Sequence, residues 1–356
     1  GAYCYVVKRK TAIFLATLLV IAAGLFGLSR CGERPLMIGA ADVEKSIGAW
    51  SLSGVDARLR DIEAAAWDAK LARIRPMQEK KVYWAHNEKV KTPVSFVYTQ
   101  GLSAGTHELE PTIQKLAAMS KANLFVTRLR AHGLESGAAF RDARAEDWLA
   151  DAIEAIAVGH LIGDRVVVVG MSTGASLALL ATEALSRHRH ELKPDGLILL
   201  SPNFRLANRG ADVLMPEVMA PLTELVMRAV EGGEHEFPLR NELHRERWTS
   251  RYPIEAAVQL MRVLRALATL RLDDELLAGI PRLLLYTAKD TVVSVAEIER
   301  RLEVSRSEGL MAVNWANGEH HQLASRAFSP EKIDELVKVI DEWVMRQSFS
   351  VGGRGN

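Results

Sequence analysis

Arg165-Val166-Val167-Val168-Val169-Gly170-Met171-Ser172-Thr173-Gly174-Ala175 is the stretch that decides the fold. Consecutive β-branched apolar residues suit a strand covered on both faces, where neighbouring side chains on either side of the pleat meet protein. The Ala- and Leu-rich run from Ala175 to Ser186 reads as a helix. Between them, Gly170-x-Ser172-x-Gly174 must turn the chain sharply, and glycines at both ends let adjacent backbones pass where a Cβ would collide. A serine at the apex is raised from the sheet edge and stands at a helix N-terminus, where the dipole favours negative charge. This setting makes Ser172 a candidate nucleophile and Gly170, Met171 and Gly174 the turn that presents it.

Outward from this point the chain alternates. Val82–Ala85, Val94–Thr99, Asn123–Leu129, Gly196–Leu200, Arg282–Tyr286 and Met311–Trp315 read as further strands. Helices are expected over Glu108–Lys121, Glu146–Ile162, Val295–Val304 and Pro330–Met345. Short apolar runs separated by helices predict an α/β fold: a mostly parallel central sheet with helices on both faces. Residues 204–270 break the alternation and read as a helical cap over the C-terminal edge of the sheet, where open α/β sheets bind ligands. Met215, Met219 and Met227 fall there and are candidates to line an apolar pocket, since methionine adapts to irregular shapes.

Serine needs a base, and the base an orienting acid. Asp290 follows the strand Arg282–Tyr286, on a loop at the correct edge, whereas Asp273 and Asp274 precede that strand. His320 and His321 follow the last strand, and either could be the base. His321 is favoured, standing two residues before apolar Leu323, which should pack inward. An oxyanion hole would use the backbone N–H of Thr173 and one from the loop Gln100–Ala104, with Leu102 the expected donor.

Composition narrows the alternatives. Of 356 residues, 45 are basic and 44 acidic, so charge gives no reason to expect a nucleic-acid partner. Both cysteines, Cys4 and Cys31, lie near the N-terminus, which removes thiol catalysis and a disulfide framework from the main domain. No metal-ligand spacing such as H-E-x-x-H occurs, and no cofactor is expected. Thr11–Ser29 is an uncharged run behind Lys8-Arg9-Lys10. As a helix it would span about 28 Å, close to the thickness of a bilayer core. It reads as an N-terminal transmembrane helix, with the cationic tip in the cytoplasm and the main domain facing outward, periplasmic or extracellular. The expected organisation is a tip and anchor (1–34), a helical connector (35–81) with a helix over Val55–Ile74, the main domain (82–347) and a flexible tail (348–356).

Together these residues resemble the α/β-hydrolase superfamily, particularly its monoacylglycerol lipase and lysophospholipase-like branch, also called the serine aminopeptidase S33 type. The likeness runs over about 82–346. It rests on Tyr98-Thr99-Gln100-Gly101-Leu102-Ser103, Arg128-Leu129-Arg130-Ala131-His132-Gly133, the G-x-S-x-G, Asp290-Thr291-Val292-Val293 and His321-x-Leu323. Gln100 stands where the family usually has histidine, and Ala131 where it has glycine. His132 is expected to structure its loop and not to catalyse. The resemblance implies a carboxylic ester hydrolase with Ser172, Asp290 and His321 as its triad and a small-molecule ester as substrate, and tethering to a membrane would favour lipid-like esters. Peptidase or thioesterase chemistry on the same residues, or a membrane-bound binding protein with a vestigial site, are the competing expectations. Oligomeric state is not legible.

Overall fold

The computed structural model describes residues 36–349, apart from 69–72, 217–218, 306, 308 and 348. In chain order these form α1 (Ala40–Ile47), α2 (Val55–Asp68), β1 (Lys81–Tyr83), β2 (Thr92–Thr99), α3 (Thr112–Met119), β3 (Asn123–Val126), α4 (Ala145–Ile162) and β4 (Gly163–Met171). Next come α5 (Thr173–His188), β5 (Gly196–Leu200), α6 (Ala220–Glu231), β6 (Glu234–Glu236), α7 (Glu242–Arg247), β7 (Arg251–Pro253) and α8 (Ile254–Thr269). The last elements are β8 (Arg282–Tyr286), α9 (Val295–Val304), β9 (Leu310–Asn314) and α10 (Ile333–Arg346).

A seven-stranded sheet runs β1-β3-β2-β4-β5-β8-β9, parallel throughout except for antiparallel β1 at one edge. The valine run of β4 lies in its middle, with Val168 opposite Val97 on one side and Leu197 on the other. Period-two alternation divides its side chains. Val166 and Val168 join the core under α4, α5 and α8, while Val167 and Val169 join the core under α3 and α10. Fully burying each such side chain contributes about 1.5–3 kcal/mol, so the run supports both layers at once.

Some boundaries differ from the sequence reading. The helix expected from Glu108 begins at Thr112, and Glu108 belongs instead to a turn closed by its own N–H on Gly105 O at 3.2 Å. The strand expected through Leu129 ends at Val126. Helix α1 was not legible, and its Val43 packs into the core beside Val55 and Leu59 of α2. The stretch expected as a flexible tail from 348 includes Phe349, which is buried with its ring against Trp343.

The excursion after β5 contains a 3₁₀ turn at Arg209–Leu214, helix α6, the antiparallel pair β6–β7 and helix α7. Its last helix, α8, serves two layers. Ala256, Val263 and Leu267 enter the main core, while Leu260, Met261 and Leu264 form a second apolar cluster with Leu214. Residues 254–269 are therefore the crossover helix between β5 and β8 and also carry the apolar cluster with Leu214. No helix among the described residues is long and apolar enough to cross a membrane, and the expected anchor, Thr11–Ser29, lies outside them.

Candidate active site

Ser172 occupies the turn from β4 into α5 with φ 55° and ψ −119°. A non-glycine residue held there stores about 1–3 kcal/mol of strain, which persists only where surroundings enforce it. The enforcement is visible: Ser172 N–H donates to Leu200 O at 2.9 Å, and Ser172 O accepts from the N–H of Asn203 at 3.2 Å. Ser176 adds a hydroxyl bond to Asn203 O at 2.7 Å. The flanking glycines leave no alternative. A Cβ on Gly170 would stand 2.5 Å from Ala175 Cα, and one on Gly174 2.5 Å from the Gln100 carbonyl oxygen. Gly174→Ala is expected to cost about 3 kcal/mol or more, because helix and β2 end cannot both keep their places. Thermal denaturation should show Tm lower by roughly 5–10 °C. An unchanged Tm would mean that α5 can retreat without cost.

Asp290 and His321, 31 residues apart, meet in the fold with His321 Nδ1 and Asp290 Oδ2 at 2.7 Å. The other carboxylate oxygen accepts the N–H groups of Val292 and Val293 at 2.8 and 3.0 Å. Burial raises the Asp290 pKa, but the hydrogen bond and charge of His321 and those two N–H groups outweigh it, holding the carboxyl below its ordinary value. A depressed carboxyl stabilises the fold above its unfolded pKa, and that contribution is lost as pH falls through the folded one. The carboxylate thus fixes the imidazole with its Nδ1 proton inward and Nε2 open.

Nε2 of His321 is buried and makes no hydrogen bond among the described residues, to Ser172 or to any other group. An orphaned buried nitrogen is costly unless it is used. Hydrogen bonds of this kind are often long without substrate and tighten when it binds. His320 points elsewhere, with Nδ1 3.0 Å from Arg240 Nη1 and its ring against Phe328. The structure therefore separates the two adjacent histidines: only His321 meets the carboxylate.

Thr173 opens α5, so its N–H has no acceptor within the helix. In the loop after β2, Gly101 N–H is held by Glu108 Oε2 at 2.8 Å, leaving Leu102 N–H next in line. Gly101 also abuts Ser172, since a Cβ there would lie 3.2 Å from Ser172 Cβ. Leu102 joins the apolar cluster of Leu214, Leu260, Met261 and Leu264, as do Met215 and Met227. Met219 instead stands at the N-terminus of α6, its carbonyl accepting from Thr223 Oγ1 at 3.0 Å.

Of the other residues around the site, Ser201 and Glu108 were not singled out by the sequence. Ser201, at φ 41°, donates from Oγ to His321 O at 2.8 Å and so ties the end of β5 to the histidine loop. Tyr98 and Glu108 form a buried pair beneath the loop after β2. Gln100 is fully buried and, with its amide turned to suit its neighbours, donates to Thr127 O and accepts from Leu129 N–H. His132 is buried against Phe140 and Trp148 in the loop before α4, and burial lowers its pKa to about 4. Among the described residues no group of three His, Cys, Asp or Glu side chains is placed to hold a metal ion.

A serine on a strained strand-to-helix turn, with an Asp–His pair on the last two strand loops, defines a class of hydrolase fold. The Alpha/beta hydrolase family model matches residues 101–330, and the chain belongs to that family. A solved monoacylglycerol lipase from Paleococcus ferrophilus is similar at 16% identity and TM-score 0.54, over 76% of this chain and 98% of that one. A soluble variant of the monoglyceride lipase from Saccharomyces cerevisiae, in complex with a substrate analog, is similar at 10% identity and TM-score 0.56, over 78% of this chain and 97% of that one. A structure from work on two metagenome-derived lipolytic enzymes is similar at 17% identity and TM-score 0.55, over 77% of this chain and 100% of that one. At these identities the likeness shows the fold. No curated protein sequence matches the chain.

Proposed function

We propose that this hydrolase cleaves carboxylic esters through an acyl-enzyme on Ser172. The observation that carries the reading is the 2.7 Å pair of Asp290 and His321, whose outer nitrogen is buried and unused. His321 Nε2 takes the Ser172 proton as Oγ attacks the ester carbon, and the oxyanion meets the N–H groups of Leu102 and Thr173. The imidazolium then protonates the departing alcohol. Water, deprotonated by the same nitrogen, attacks the acyl carbon and frees the acid and Ser172.

The cluster joining Leu102 to Met215 and Met227 supports an apolar acyl group, because it places methionine and leucine against the expected oxyanion donor. Lipase neighbours point the same way. A panel of p-nitrophenyl esters tests it: kcat/KM is expected to rise about tenfold or more from two to eight acyl carbons, since each buried CH₂ is worth about 0.8 kcal/mol. A preference for acetate would overturn the lipid-like assignment. A fluorophosphonate probe should label the wild type and not Ser172→Ala.

We further propose that residues 11–29 tether the chain to a membrane with its main domain outward. The uncharged run behind Lys8-Arg9-Lys10 supports this. Fractionation of the full chain beside one lacking residues 1–34 should move the protein from membrane to supernatant. Equal partition of the two would refute tethering.

A further inference from the structure

A buried acid lies under the oxyanion loop, outside the reaction cycle just described. Glu108 is 2% exposed, and its Oε2 accepts both Tyr98 OH and Gly101 N–H at 2.8 Å. Tyr98 belongs to β2, whereas Gly101 immediately precedes Leu102. Glu108 itself ends the same loop, which makes two successive turns: Ala104 N–H bonds Gly101 O at 3.3 Å and Glu108 N–H bonds Gly105 O at 3.2 Å. The end of the loop thus returns to clamp its start. A Cβ on Gly101 would stand 3.1 Å from Glu108 Oε1 and 3.2 Å from Ser172 Cβ, so carboxyl and nucleophile flank one glycine.

We propose that Glu108 is a positioning residue for the reaction: its carboxyl fixes the Gly101 peptide and through it aims the Leu102 N–H at the developing oxyanion. The assignment rests on the serine reading above. Its physical basis is that a donor stabilises a transition state only when it is held in place beforehand, and loop backbone has no ladder to hold it. One acceptor oxygen shared by two donors supplies that hold.

The ionisable groups acting on Glu108 are Tyr98 and His321. Burial raises its pKa to about 7, against the opposing pull of Gly101 N–H, Tyr98 OH and the His321 charge. Burial and the Glu108 charge hold the Tyr98 hydroxyl well above its usual range, so it stays protonated and donating. Glu108 therefore changes charge near neutrality, and the carboxylate form binds Gly101 N–H more strongly than the acid.

Two measurements test the clamp. In the full chain with ¹⁵N-glycine, the Gly101 amide proton should move downfield as pH rises through about 7. Glu108→Gln should abolish that movement. A shift persisting in E108Q would come from another group and overturn the assignment, as would an amide that does not move in the wild type. For ester turnover, Glu108→Ala should lower kcat about 100-fold with KM changed less than about threefold, whereas E108Q, which keeps an acceptor oxygen, should stay within about fivefold of wild type. Unchanged kcat in E108A would refute a positioning role. The amide titration needs only wild type and E108Q, so it decides the matter even where E108A does not fold. Ester turnover retained in Ser172→Ala would refute the serine reading alone, because the Gly101 titration does not depend on Oγ.

Discussion

Ser172→Ala is expected to lower kcat for a p-nitrophenyl ester by about 10⁵–10⁶-fold while leaving the thermal transition within a few degrees of wild type. The size follows from what is lost. Without Oγ there is no acyl-enzyme, and water must attack the ester directly with only the two N–H donors and the binding surface to help. That remnant is worth about 10³–10⁴ over the uncatalysed rate in enzymes of this logic. The fold should survive, because the bonds that hold the turn run through the Ser172 backbone, to Leu200 O and from Asn203 N–H. Activity above about a tenth of wild type would place the nucleophile elsewhere.

His321→Ala should cost about as much as the serine change, whereas His320→Ala should stay within about threefold of wild type. The contrast tests geometry and not residue type, since the two are neighbours in the chain. His321 meets Asp290 at 2.7 Å, but His320 faces Arg240 at 3.0 Å. The double variant Ser172→Ala with His321→Ala should be no worse than either alone, because a base without its nucleophile has no proton to take. Asp290→Asn should fall in between, near 10⁴-fold, by leaving the imidazole in the wrong tautomer. Equal losses from His320→Ala and His321→Ala would remove the argument for a single base.

The strands and the serine were legible because the valine run and the G-x-S-x-G obey local rules: a doubly buried strand needs continuous β-branched residues, and a sharp turn needs glycine. Asp290 could be chosen over Asp273 because only one edge of a parallel sheet carries the loops that matter. The two histidines could be ranked but not separated, since backbone direction in a loop is set by tertiary contacts such as Ser201 Oγ on His321 O. Glu108 was hidden for a different reason. It read as the first residue of a helix, where a carboxylate is ordinary, and only the late start at Thr112 leaves it free to turn back under Gly101. The double role of α8 was equally invisible, because an amphipathic pattern does not say which two layers a helix separates.

The attachment of the excursion after β5 to the loop after β2 has a consequence for recombining this hydrolase with others. Arg247 O accepts Gly105 N–H at 2.6 Å, and Thr249 N–H donates to Ser103 O at 2.8 Å. The strip 247–249 is therefore bonded to the loop after β2 even though it lies within the inserted excursion, and α8 beyond it belongs to the sandwich itself. Crossover points for chimaeras fall at about 206 and 246: what is spliced between them can reshape selectivity for the acyl chain, and what lies outside them must travel with the chemistry.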